Sequence, residues 1–276
     1  MILGPGGRGV AIATEDPKAA TFDRLTLRAA GIPGVLVEDL GLTLHERPPT
    51  PEEAAARWAV VTRRVAIVRE GDRLAIGRPD GSVAVQEPPS LSSDMLRLEA
   101  PPPRVAIFGG AWTAEDEPDY GETRRFGESM AAAGVHVLCG GYGGVMEAAA
   151  RGASEAGGVA IGVTISAWTG RVTPSPWLTH RADAVSLLAR YPLLLDADAW
   201  VAFPGGVGTL AEVAQCWNLM QMSIDRRPLI AVGDRWGRIL DSLRKELIVH
   251  DPGDLELASE SGASEAAEAV LAALGR

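Results

Sequence analysis

Cysteine is nearly absent: Cys139 and Cys216 are the only two in 276 residues, far apart and in no CxxC arrangement. That excludes a disulfide framework and gives no sign of a cysteine zinc site. Histidine is scarce too, with four in the chain and no HxH, HExxH or acidic cluster at ligand spacing, so no metal is expected. No apolar run approaches the roughly 18 residues of a membrane helix, and "MILGPGGRGV" lacks the basic start and apolar core of a signal peptide. Basic residues are outnumbered, 26 Lys and Arg against 36 Asp and Glu, for a net charge of −10. Such a charge disfavours nucleic acid and anionic membrane surfaces as partners. A soluble, cytoplasmic protein acting on a small molecule is the expectation.

What is abundant is apolar residue and glycine: 46% hydrophobic composition and 32 glycines. A Pro-rich stretch, "EPPSLSSDMLRLEAPPPR", separates two parts of different character. Residues 1–90 read as a small α+β accessory domain, 91–103 as linker and 104–276 as the main domain. In the first part Thr50, Pro51 and Glu53 predict a capped helix ending near Arg64. Short β-prone runs then alternate with turns at Glu70-Gly71-Asp72 and Pro79-Asp80-Gly81, as in an antiparallel meander.

After the linker, Val/Ile/Ala-rich runs alternate with helical segments: "RVAIFGG", "VHVLCGG", "VAIGVT", "AWVAFPGG" and "PLIAVG" are the strands, and "ADAVSLLARYPLLL" is one of the helices. This predicts an α/β fold, a Rossmann-like doubly wound and mostly parallel sheet. Its glycines fall at the strands' carboxyl ends, where such sheets bind ligands: Gly109 and Gly110; Gly140, Gly141, Gly143 and Gly144; Gly205, Gly206 and Gly208. The spacing is neither GxGxxG nor that of a nucleoside-triphosphate loop. In "FPGGVGTLAEV" a glycine turn opens a helix whose N–H groups suit a phosphate, yet Glu212 is placed close by, read as first-turn.

Pro204, Gly205, Gly206, Gly208, Thr209 and Glu212 complete a PGGxGTxxE motif. With "GGYGGVMEAAARGASEAGGVAIGV" and "MQMSIDRRPLIAV", the stretch from about 104 to 275 resembles the Lonely Guy (LOG) family, also labelled lysine decarboxylases. The decarboxylase label finds no pyridoxal-phosphate site here. The resemblance implies a phosphoribohydrolase that cleaves the N-glycosidic bond of a nucleoside 5'-monophosphate and needs no cofactor. It implies phosphate binding by Gly205–Thr209 and a catalytic Glu212 beside the developing oxocarbenium charge. A carboxylate that only complements the helix dipole is the plainer alternative.

Arg190 corresponds by resemblance to the family's catalytic arginine, though it lies one residue nearer Pro204 than usual and precedes Tyr191 and Pro192. A surface arginine, or an ion pair with Asp196 or Asp198, is the other reading. Ala111 stands where members often have Ser, leaving Thr113 as a substitute. Tyr142 and Met146 are candidate sugar or base contacts, though a methionine there is more often core, and Glu147 is a candidate for the ribose hydroxyls or else faces solvent. Trp168, Arg171, Trp177 and His180 could stack on a base or cover a dimer contact, and Gln221 matches a recurrent family position. Leu210, Val213, Ala214 and Trp217 are expected to form the apolar face of the helix after the motif. With Leu219, Met220 and Met222 this helix is apolar enough around its circumference to imply a homodimer. A non-catalytic nucleotide or molybdenum-cofactor carrier or sensor is the rival function.

Overall fold

The structure, a computed structural model, describes residues 10–13, 34–36, 42–44, 50–70, 73–86, 100–222, 227–248, 258–260 and 262–276. The chain forms two compact units. The first comprises residues 1–102 with 165–168 and 180–193, and the second 103–164, 169–179 and 194–276.

In the first unit, helix α1 (Pro51–Thr62) starts where its cap predicts: Thr50 is extended, its hydroxyl accepts from the Glu53 N–H at 3.2 Å, and Pro51 occupies the first helical position. It ends at Arg63, whose φ of 55° places it in the left-handed region. Ala55, Trp58 and Ala59 are buried, and Gly77 lies so close that a Cβ there would stand 2.1 Å from the Ala55 carbonyl oxygen. The meander is present as β4 (Val65–Glu70), β5 (Arg73–Gly77) and β6 (Val83–Gln86), paired antiparallel. In the turn after β5, Asp80 accepts from the Ser82 N–H at 2.8 Å. Hydrogen bonding to Ser82 holds its carboxyl below the usual range, burial opposing weakly. Gly71, Asp72 and residues 87–99, which carry the other predicted turn and most of the linker, lie outside the described residues. Strands β1 (Val10–Ala13) and β2 (Gly34–Leu36) extend the meander's sheet in parallel, in the order β2-β1-β4-β5-β6.

One predicted helix is split. Of "ADAVSLLARYPLLL", the first three residues belong to strand β10 (His180–Ala184), which pairs antiparallel with β3 (Leu42–Leu44). Helix α4 begins only at Leu187 and runs to Leu194, with Pro192 inside it. Ser186 sets that start, its hydroxyl accepting from the Ala189 N–H at 3.1 Å. A partner strand more than a hundred residues away in sequence competes successfully with helix propensity here.

The second unit is the expected α/β fold. Strands β7 (Arg104–Phe108), β8 (His136–Cys139), β9 (Ala160–Ile165), β11 (Ala199–Ala202), β12 (Leu229–Val232) and β13 (Ala258–Glu260) are parallel, ordered β13-β12-β11-β7-β8-β9. The helices are α2 (Pro118–Ala132), α3 (Val145–Glu155), α5 (Val207–Gln221), α6 (Asp234–Glu246) and α7 (Ala263–Ala273). β13 and α7 are additions to the predicted elements. The strand interiors are buried, as a sheet covered on both faces requires. Phe126 meets Phe203 edge-on at 5.5 Å, and the Trp236 indole N–H donates to the Phe203 carbonyl at 2.9 Å. Among the described residues no helix is long and apolar enough to cross a membrane.

Because β10 and α4 group with residues 1–102, a fragment of residues 98–276 keeps β10 but discards its partner strand β3 and the helix α1 that packs with it. Such a fragment is expected to be less soluble and less stable than the full chain. Denaturation of the two side by side checks this, and equal midpoints would show that residues 1–97 are dispensable for folding.

Candidate functional site

From β7 at the centre of the parallel sheet the chain proceeds to β8 and β9 on one side, and later to β11, β12 and β13 on the other. The reversal falls between neighbours β7 and β11, and ligands of such sheets bind in the crevice outside the carboxyl ends at that point. Gly109 and Gly110 follow β7; Phe203 to Gly208 follow β11.

The glycine turns are tied together through Gly110. Its N–H donates to the Pro204 carbonyl at 3.0 Å, and its own carbonyl accepts from the Val145 N–H at 2.9 Å. Such contacts need bare backbone. A Cβ on Gly144, whose φ is +67°, would stand 2.1 Å from the Gly110 oxygen, and one on Gly205 would stand 2.2 Å from Thr209 Oγ1. Gly109 packs on Val145, Gly141 on Thr164 and Gly143 on the Ala111 carbonyl, so these three glycines serve close packing. Thr113 lies against Gly110, its hydroxyl 3.5 Å from that carbonyl.

Two helices begin at these turns, and only one start is open. Val145, the first residue of α3, is fully buried and its N–H is engaged by Gly110. At the start of α5, Gly206, Val207 and Gly208 are exposed, Val207 at 83%, and no side chain caps the helix. A Cβ at Gly206 or Gly208 would meet nothing within 4 Å. The first N–H groups of α5 therefore face open space with the positive end of the helix dipole behind them. Thr209 adds a hydroxyl: the residue is 3% exposed and its oxygen lies against the Gly205 turn.

Glu212 is the sixth residue of α5 and thus in its second turn; the first turn carries no acid, contrary to the sequence reading. Dipole complementation fades beyond the first turn, so it does not account for this carboxylate. Glu212 is also buried, at 8% exposure. A buried carboxylate placed one turn beneath an open anion seat can face positive charge that develops on a bound ligand.

The other candidates separate. Met146 is part of the hydrophobic core, with Phe126, Val145 and Phe203. Tyr142 is buried in the same cluster. Glu147, in the first turn of α3, accepts from the Tyr120 hydroxyl at 3.3 Å. Burial raises the pKa of Tyr120 above its ordinary value, while a hydrogen bond with Arg151 opposes the rise. Trp177 lies under the Arg151 guanidinium, 4.9 Å from its ring centroid. Arg151 also binds Glu155 and Glu115, both at 3.0 Å, and Arg124 reaches Glu155 at 2.7 Å. These bonds, that to Glu155 foremost, hold the Arg151 guanidinium firmly protonated, and Arg124 and then Arg151 hold the Glu155 carboxyl below its usual range.

Arg190, on α4 and 5% exposed, belongs to the first unit with Trp168 and His180, whereas the glycine turns and Glu212 belong to the second. Asp198, one of its suggested partners, accepts from the Arg104 N–H at 2.8 Å. Along α5, Val213 and Trp217 are buried as expected, but Ala214 is exposed, and Leu219 and Met220 are buried in the chain while Met222 is 61% exposed. Arg171 is exposed and Gln221 half-buried. The sequence reading passed over Trp112, 91% exposed in the turn after Gly110. Its adjacency to a glycine turn at a strand end was the signal available. Among the described residues no group of His, Cys, Asp or Glu is arranged to hold a metal ion.

Residues 102–226 match the model of the SLOG cluster4 family, a span that includes all three glycine turns. An uncharacterized protein of Archaeoglobus fulgidus is 30% identical over 111 residues, 36% of this chain; the chain spans only 64% of that relative's length. The molybdenum cofactor binding protein of Rippkaea orientalis shares the fold, with a TM-score of 0.51 at 23% identity over 64% of this chain and 99% of that one. The molybdenum cofactor carrier protein of Chlamydomonas reinhardtii gives 0.48 at 25% identity over 63% and 99%. The family match and the doubly wound sheet together support a LOG-like superfamily architecture for this stretch.

Two of the motif's three glycines, Gly205 and Gly206, are expected to respond differently to alanine. Gly205→Ala forces a methyl into Thr209 and the Gly110 N–H, which should destabilise the fold by about 1–3 kcal/mol. Gly206→Ala meets open space and should cost no more than about 1 kcal/mol, as for a helix cap, while weakening phosphate-ligand binding. Paired urea denaturation and ligand titration of the two variants check the contrast; equal stability losses would refute it.

Proposed function

We propose that the protein hydrolyses the N-glycosidic bond of a nucleoside 5'-monophosphate, releasing the free base and ribose 5-phosphate. The observation that carries this reading is the pairing on one helix of an open, uncapped N-terminus with a buried hydroxyl and a buried carboxylate, Thr209 and Glu212. In this reading the N–H groups of Val207, Gly208 and Thr209 bind the 5'-phosphate. The ribose then lies along the helix toward Glu212. Cleavage places positive charge on the sugar ring and its anomeric carbon, and the carboxylate stabilises that charge and orients the attacking water. The atoms balance: the C–N bond breaks, water supplies a hydroxyl to the sugar and a proton to the base. The SLOG match and the PGGxGTxxE motif support the same assignment.

The second reading, a carrier or sensor that holds a nucleotide or the molybdenum cofactor without cleaving it, draws support from the one-residue spacing departure at Arg190 and from Ala111 in place of Ser. A panel of AMP, GMP, CMP, UMP and isopentenyladenosine monophosphate separates the two. Release of base supports the hydrolase, and binding without release supports the carrier. Glu212→Gln is expected to lower turnover by about 10² to 10³ while phosphate binding persists, because only the charge facing the cation is removed. Wild-type turnover in this variant would leave Glu212 a structural residue; Arg190→Ala in the same assay tests the arginine.

A homodimer is part of the proposal, resting now on Met222, since Trp217, Leu219 and Met220 are covered by the chain itself. Light scattering at micromolar concentration should give twice the 28.9 kDa chain mass; the monomer mass would count against it.

A further inference from the structure

We infer that Trp112 is the base-stacking residue of this site, and that the ligand's base is preferentially a purine. The inference rests on the nucleotide reading above and adds to it the residue that recognises the base. Trp112 is 91% exposed, the most exposed tryptophan among the described residues, whereas Trp58, Trp200, Trp217 and Trp236 are buried. An indole left almost wholly in water forgoes the large stabilisation that burying an aromatic ring brings. Its position explains that cost. Trp112 is two residues from Gly110, so its Cα is within about 7.6 Å of the Gly110 Cα. Gly110 in turn is hydrogen-bonded to Pro204, which leads directly into the open start of α5.

The backbone beneath the indole is held on several sides. Gly110 is bonded to Pro204 and Val145, and Ala111 packs against Gly143 and Gly144. On its far side, the loop is fastened by the Ala114 N–H donating to Glu117 at 2.8 Å and by the ion pair of Glu115 with Arg151. A rigid turn therefore presents a flat apolar ring at the carboxyl end of β7, beside the strand whose following turn offers the phosphate seat. A nucleoside monophosphate has the matching chemistry, a phosphate at one end and a flat aromatic base at the other. Stacking is sequence-tolerant but stronger for the larger π-face, so purines gain more than pyrimidines.

Calorimetric titration with AMP, CMP and ribose 5-phosphate tests this in the full chain. Trp112→Ala should weaken AMP by about tenfold or more, the range of a lost base stack, and leave ribose 5-phosphate unchanged. Trp112→Phe should restore most of the AMP affinity, and the preference for AMP over CMP should shrink in Trp112→Ala. If AMP binding survives Trp112→Ala, or AMP and ribose 5-phosphate weaken equally, the stacking role is overturned. A change in molecular mass with unchanged AMP affinity would likewise overturn it, giving the indole to a protein interface. Wild-type protein that binds neither AMP nor ribose 5-phosphate defeats the nucleotide reading itself, a result distinct from either of these.

Discussion

The two backbone hydrogen bonds of Gly110, one given to Pro204 and one accepted from Val145, draw three chain turns onto one point at the carboxyl end of the parallel sheet. Much of the site follows from them. For the strands to be joined there, Gly144 must turn with positive φ against the Gly110 carbonyl, and Gly205 must pass Thr209 without a side chain. The same stitch decides which helix is available to a ligand. It closes the start of α3 by engaging the Val145 N–H and leaves the start of α5 facing outward. Two glycine turns that look alike in the sequence thus acquire opposite roles.

The placement of a carboxylate near a seat built for an anion is resolved by distance along the helix. Glu212 sits in the second turn, behind Thr209, and is buried. From there it does not cap the helix or occupy the phosphate position. Its position one turn beneath the open N-terminus is the geometry on which the proposed hydrolysis rests.

The division of the chain into units bears on chemistry as well as folding. Residues 180–193 are sequence neighbours of the motif-bearing segment, yet they group with residues 1–102 through the pairing of β10 with β3. Arg190 is carried by that unit. Any contribution it makes to the reaction depends on a part of the chain that the motif itself does not contain.

The sequence by itself determined the elements whose causes are local. Thr50 and Pro51 start α1 because the cap is made within four residues, and the buried strands β7, β8 and β11 are legible because a sheet covered on both faces demands uninterrupted apolar runs. The glycine turn that opens α5 was legible for the same reason, its glycines and threonine lying within five residues. Tertiary structure alone decided the matters that turn on distant partners. Ala182–Ala184 became a strand because Leu42–Leu44 pairs with it. Met146 packs in the core cluster and Trp177 lies under the Arg151 guanidinium, contacts made by distant parts of the chain. Trp112 stayed in water because the turn that bears it is held by backbone bonds at Gly110 and by the Glu115–Arg151 ion pair, contacts from other parts of the chain that no local pattern encodes.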